Sequence, residues 1–389
     1  MSNKLIKKIF LLSALAAMGN VYADNGNDKP YYDVKVNLID LGIYSKESST
    51  DTHFTNTATV FLNSSLDLDA LGLDLGKVNM QFTTSFLNSD SQLDTTSNWV
   101  GGVGSYVGGA LGINDLSPYQ LGVLTWDNTW SDDLSTSIGR TNARKYFLYN
   151  TCKNIVLCTN PVKGAMGSLP INYGYWGAYA KYNLTDNLYV HSGVFEVNND
   201  DYVNKKHGLD FSFDKKIGYN QVYGLGFKDE NSRAELLYFY NNSDYVNAYT
   251  KEGYTNVDGV DFRFNHQFEN KDLPEIFGTY SYINNKNNSY KNYWELGANF
   301  NLKNDKNYFS VKVGQSTLND DYAKLTKAIN NNSNKQTTFA SIDTSFNVKS
   351  VKFSPFAQYI WNPDNFYRSK GEKFDENLVV GLLTQVKLY

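Results

Sequence analysis

Arg140, Arg144, Arg233 and Arg263, together with Glu235 and the pair Cys152 and Cys158, are the side chains whose type and placing could do chemistry. An arginine offers a fixed fork of N–H donors, suited to vicinal hydroxyls held by paired hydrogen bonds. Two cysteines can form a disulfide, remain thiols, or contribute to a metal site. Without neighbouring histidines they do not complete a tetrahedral shell, so no metal is expected. The four histidines, His53, His191, His207 and His266, fall in no nucleophile-and-base spacing, and no Gly-x-Ser-x-Gly elbow occurs. Neither catalysis nor a cofactor is expected.

These side chains lie on or between segments that alternate with a period of two. In Lys77 to Phe86, Val78, Met80, Phe82, Thr84 and Phe86 share one face; Lys77, Asn79, Gln81, Thr83 and Ser85 share the other. In Val260 to Phe268, Val260, Phe262, Phe264 and Phe268 alternate with Asp261, Arg263, Asn265 and Gln267. In Tyr308 to Gly314, Phe309, Val311 and Val313 alternate with Ser310 and Lys312. A helix would repeat its apolar positions at three and four instead. Seventeen segments read as strands: 31–42, 52–62, 76–87, 121–130, 133–140, 172–182, 187–196, 209–214, 219–228, 231–240, 257–268, 276–284, 291–300, 307–316, 337–347, 352–361 and 376–388. Bacterial membrane barrels use even numbers, so sixteen is the expected count and one segment is surplus. Asn183 to Asn187, Asp229 to Ser232 and Asn301 to Lys306 have the composition of tight turns.

Three features favour a transmembrane antiparallel β-barrel over a soluble sandwich, which also alternates. The chain opens with Lys4, Lys7 and Lys8, an apolar stretch from Ile9 to Met18, and Val21-Tyr22-Ala23. That is the pattern of a secretory signal peptide, too short to span a bilayer as an anchor. Cleavage is expected after Ala23, leaving one barrel domain over residues 24–389. Second, aromatics gather near strand ends: Tyr179 and Tyr182, Tyr238 and Tyr240, Tyr359 and Trp361. Third, the last strand runs to the chain end, with Leu378, Val380, Leu382, Val386 and Leu388 on one face and Tyr389 on the other. With 30 Tyr, 23 Phe and 29 Gly against 7 Pro, the composition suits strands, interfacial girdles and turns. A net charge of −4 argues against a nucleic-acid partner. Export places Cys152 and Cys158 in an oxidising compartment, where a disulfide is expected, with two buried thiols as the alternative.

Three insertions are long: 97–118, rich in Gly; 141–171, holding both cysteines; and 317–336, rich in Asn, Lys and Asp. Long barrel loops are usually extracellular, and one often folds inward. The cysteine-bearing loop is the expected constriction.

A resemblance sits on particular residues. Trp126-Asp127-Asn128-Thr129-Trp130 precedes Leu134-Ser135-Thr136-Ser137-Ile138-Gly139-Arg140. Tyr146-Phe147 and Cys152-Lys153-Asn154-Ile155-Val156-Leu157-Cys158 follow, then Tyr175-Trp176-Gly177-Ala178 and Tyr189-Val190-His191-Ser192-Gly193-Val194-Phe195-Glu196. Near the end stand Pro355, Gln358-Tyr359-Ile360-Trp361-Asn362-Pro363 and Val380-Gly381-Leu382. This resembles the carbohydrate-selective porin family, the OprB-like glucose porins of Gram-negative bacteria, most closely over Leu121 to Glu196 and the last forty or so residues. The final residue departs from it, Tyr389 standing where the family usually ends in Phe.

The resemblance implies a sixteen-stranded outer-membrane barrel that admits glucose-like monosaccharides passively. Its partners would be the sugar, outer-membrane lipid and lipopolysaccharide, and the barrel-assembly machinery, with monomer or homo-oligomer left open. Competing readings are a general diffusion porin and a non-conducting structural or adhesin barrel. Arg263 is the expected lumen residue on parity, with Arg233 and Glu235 inward on their strand and Arg144 on the cysteine loop. Arg140 conflicts. Strict alternation from Leu134 turns it to lipid, where an arginine costs about 2–4 kcal/mol, so it is expected just past the strand end, turned inward by a bulge or loop. Mass spectrometry of the protein recovered from membranes should find Asp24 as the first residue; an intact Met1 would overturn the leader.

Overall fold

The computed structural model describes residues 31–47, 53–87, 119–158, 160–166, 173–197, 208–209, 218–247, 250–270, 272–302, 307–330, 335–363 and 375–388. The expected leader, residues 1–23, the insertion 97–118, His207, Tyr389 and all of 209–214 except Leu209 lie outside them.

In chain order the strands are β1 (Tyr32–Ser45), β2 (Phe54–Asp67), β3 (Lys77–Leu87), β4 (Tyr119–Thr129), β5 (Leu134–Thr141), β6 (Tyr175–Asn183), β7 (Leu188–Val197), β8 (Gly218–Lys228) and β9 (Ser232–Asn241). After them come β10 (Tyr245–Val246), β11 (Gly253–Tyr254), β12 (Val257–His266), β13 (Glu275–Ile283), β14 (Tyr290–Asn301), β15 (Tyr308–Leu318), β16 (Gln336–Val348), β17 (Val351–Trp361) and β18 (Glu376–Lys387). β10 and β11 form a separate small hairpin; the remaining sixteen close into one antiparallel barrel. Closure is made by β1 against β18, in register from Asn37 opposite Lys387 to Ser45 opposite Val379. Sixteen is the expected even count, and each expected segment other than 209–214 corresponds to a barrel strand.

Alternation sorts the side chains. On β12, Asp261 and Arg263 are buried inside while Phe262 is 40% exposed outside. Thr83 and Ser85 of β3 and Ser310 and Lys312 of β15 point inward; Phe309 and Val313 face out. The exposed outer residues Leu225, Leu236, Trp294, Leu296, Ile342 and Leu382 make the apolar band that a bilayer requires. Tyr179 is inside and Tyr182 outside, as a spacing of three on a strand demands.

The connections differ at the two rims. β6 to β7, β8 to β9 and β16 to β17 need only a few residues, at the rim where β1 starts and β18 ends. The opposite rim carries the connections β3–β4, β5–β6, β7–β8 and β15–β16, all much longer. The β15–β16 insertion holds a helix, Asp320–Asn330, with Asp320 and Asp321 in its first turn, where acids complement the helix dipole. The sequence reads there as a long insertion rich in Asn, Lys and Asp, within which the structure has this helix.

Glycine is required where the wall is tight. On β15, a Cβ at Gly314 would lie 2.5 Å from the Phe339 ring and 2.7 Å from the Trp294 carbonyl, so Phe339 of β16 lies across it. Ile342, 52% exposed near the middle of β16, faces the lipid side. Ile342→Arg should destabilise the folded barrel by about 2–4 kcal/mol, read by urea unfolding in lipid vesicles. No loss would refute the outward assignment.

Candidate functional site

The segment between β5 and β6 folds into the barrel and crosses it. It begins with a short helix, α1 (Ala143–Phe147), capped by Asn142, whose Oδ1 accepts from the Arg144 N–H at 3.0 Å. Phe147 is fully buried against His191, ring centroids 4.7 Å apart, and against Tyr179 and Phe195. Tyr146 stacks on Tyr179 at 4.2 Å and shares a 2.6 Å hydrogen bond with Ser137. These contacts root the near end of the loop on β5–β7. His191 is a packing residue here.

The far end is tied to the opposite wall. Arg263 of β12 donates to the Tyr149 carbonyl at 2.9 Å. Asn265 donates to the Thr151 carbonyl at 2.7 Å, and Thr151 donates to Glu295 at 3.2 Å. Asn160 donates to Ser281 at 2.6 Å. Lys312 of β15 bridges Glu295 at 2.8 Å and donates to the Leu157 carbonyl inside the cysteine turn. β14 and β15 stand seven and eight strands from β5 round the sixteen-stranded wall, so the loop spans a diameter. Cys152 and Cys158 are joined, and the disulfide packs on Phe277 of β13. The cross-link therefore closes the turn that meets the far wall. The ties made by Arg263, Glu295 and Lys312 are charge-assisted, the strong kind of hydrogen bond.

The candidate arginines take different places. Arg263 is buried and bound to Asp261 at 2.6 Å as well as to the loop; it holds the constriction in shape. Arg233 pairs with buried Glu235 at 2.7 Å, and its guanidinium lies over the Tyr149 ring at 3.8 Å. Its side chain is 35% exposed. Tyr189 donates to the same Glu235 carboxylate. Tyr149 donates its hydroxyl to the Arg233 carbonyl at 3.3 Å; burial pushes its phenol well above the usual range, so it stays a neutral donor.

Arg140 corrects its expected position. It lies within β5, opposite Leu124 and Trp176, rather than past the strand end. It has no exposed surface, and its Nε donates to the Leu121 carbonyl at 3.4 Å. The irregularity sits one residue earlier. Gly139 adopts φ +137°, and a Cβ there would come within 2.3 Å of the Leu124 carbonyl, so only glycine fits.

Arg144 is the exception among them. Only 9% exposed, it lines a lumen cavity of about 670 Å³ between the loop and β1–β4. Burial pushes its guanidinium down to about 10, with Arg263 adding like-charge repulsion; it remains cationic at neutral pH. Across the cavity stands a polar wall that sequence reasoning did not single out: Asp33, Lys35, Asn63, Asn79 and Gln81. Inward parity on β1–β3 could have indicated it. Gln81 donates to Asn63 at 2.9 Å, and this pair also lines a second cavity of about 420 Å³ bounded by Lys352 and Gln385.

Known proteins share this architecture. A family model described as carbohydrate-selective porin, OprB family, matches residues 51–388. Pseudomonas putida OprB, in its high-pH structure, is similar with TM-score 0.77 at 18% identity, over 92% of this chain and 94% of that one. A mutant of Rh. blastica porin gives TM-score 0.55 at 8% identity, over 92% and 100% of the two chains. Vibrio cholerae OmpT in its trimer form gives 0.53 at 10% identity, over 92% and 98%. No curated protein sequence matches.

Lys312→Met should loosen the loop, because it removes the tie to Leu157 and leaves Glu295 buried without its cation. Breaking one side of such a pair costs about 3–5 kcal/mol. The measurement is single-channel current, expected to become larger or noisier; an unaltered trace would show that the tie is dispensable.

Proposed function

The chain belongs to the carbohydrate-selective porin family of the OprB type, and on that premise we propose that it lets glucose-like monosaccharides diffuse across the outer membrane of a Gram-negative bacterium. The observation that carries this reading is the crossing loop, which narrows the lumen to a polar passage with Arg144 on one side and the Asn63–Gln81 wall on the other. A sugar hydroxyl both donates and accepts, so a guanidinium fork facing carboxamides meets both demands. Binding of this kind is weak enough for release, which passage requires.

Within the passage Arg144 is the solute-contacting arginine, and Arg233, stacked on Tyr149, is the second. Arg263 and Glu235 fix the loop that presents them, and Arg140 anchors the end of β5. Transport is passive, and outer-membrane lipid with lipopolysaccharide forms the surroundings of the barrel. The disulfide keeps the turn at the far wall in one shape.

Single-channel recording of the purified protein, titrated with monosaccharides and disaccharides, tests this. Glucose should partly block the current, and disaccharides should block or pass differently. Current untouched by any sugar would favour a general porin, and absence of conductance would favour a closed structural barrel. Arg144→Ala should weaken glucose block roughly ten-fold, as expected for loss of about 1.5 kcal/mol in charged hydrogen bonding. Arg263→Ala should act differently, raising current noise through the loosened loop. Reducing the Cys152–Cys158 bond should raise noise or pore size, read in the same recording.

A further inference from the structure

The charges along the 670 Å³ cavity do not balance locally. Each acid lining it has its own lysine: Asp33 with Lys35, and Asp127 with Lys145 at 3.5 Å. Arg144 has neither. Among the described residues its guanidinium makes no hydrogen bond and no ion pair; only its backbone N–H is engaged, with Asn142. It is nevertheless nine-tenths buried. The charged group that acts on it is Arg263, of like sign and already committed to Asp261.

Leaving a buried guanidinium without an anion is costly, and structures rarely keep one without use. Three other inward cations of the loop region are paired: Lys312 with Glu295, Arg263 with Asp261, Arg233 with Glu235. Arg144, with no such acid among the described residues, lines the 670 Å³ cavity. The group that fits a planar guanidinium fork is a carboxylate, which it holds through two parallel N–H···O bonds. Asn63, Asn79 and Gln81 line the same cavity; Asn79 donates to Asp127 and Gln81 to Asn63, and their remaining amide groups suit hydroxyls. A solute with a carboxylate at one end and hydroxyls along the rest would satisfy both walls.

From this juxtaposition we infer that the passage selects for sugar acids, hexoses carrying one carboxylate, above neutral hexoses. The inference deepens the sugar-porin reading and rests on it. The carboxylate docks on Arg144 and the hydroxyls meet the amide wall of β2 and β3.

The test compares D-glucuronate with D-glucose as blockers of single-channel current through the full protein in a planar bilayer. Glucuronate should half-block at a concentration about ten-fold lower, the advantage of a charge-assisted over a neutral hydrogen bond. In a potassium chloride gradient, the reversal potential should show anion preference. Arg144→Gln should bring the two sugars to equal block and reduce the anion preference; Arg144→Lys, which keeps the charge without the fork, should lie between. Barrel assembly of each variant is checked by circular dichroism, and the two-solute comparison needs no variant. Glucose blocking as well as or better than glucuronate would overturn the carboxylate preference while leaving the sugar reading intact. Block by neither would overturn both. A glucuronate advantage that survives in Arg144→Gln would remove Arg144 from the account.

Discussion

Backbone hydrogen bonding in a medium without water governs this molecule. Each peptide group that crosses a bilayer must find its partner within the protein, because hydrocarbon offers none. The ladder between β1 and β18 meets that demand for the first and last strands, which would otherwise leave open edges. Once the ring is closed, each strand has one face toward lipid and one toward the lumen. The alternation of Phe262 with Asp261 and Arg263 follows from that single condition. So does the inward placing of Glu235, Glu295 and Lys312, since the interior is where charge can find partners.

The interior then sets a second problem. A ring of sixteen strands encloses more space than a small polar solute needs for contact. The β5–β6 loop reduces it by crossing to β12–β15, where Arg263, Glu295 and Lys312 receive it. These buried ions do two tasks at once, neutralising each other and gripping loop carbonyls. On the open side, Arg144 and residues of β1–β3 line the cavity that remains. Arg233 and Arg263, each with an acid beside it, help to build the passage, while Arg144 lines the open cavity with no acid beside it among the described residues.

Much of this was legible in the sequence. Period-two alternation is a local property, so strand positions and inward parity could be read directly, and Arg263, Arg233 and Glu235 do point inward as parity required. The disulfide was expected from an oxidising compartment, and the inward fold of its loop from the habit of long barrel loops; the structure has both. Two matters were not. The behaviour of Arg140 turns on the φ of Gly139, and a single glycine does not announce which of its conformations it adopts. The partners of each arginine depend on contacts between residues more than a hundred positions apart, such as Arg263 with Tyr149, which no local pattern encodes. The amide wall on β1–β3 was visible as polarity but not as the side facing the loop.

The loop that spans the lumen also bears on the barrel as a mechanical body. A membrane presses sideways on whatever it contains, and a hollow cylinder yields to that pressure by flattening into an oval. Here the cylinder has an internal strut, rooted at Phe147 and pinned near Lys312. Its length fixes one diameter. The opening beside it should therefore keep its width when the composition or tension of the surrounding bilayer changes, so that the sieve is calibrated by the protein and not by its lipid.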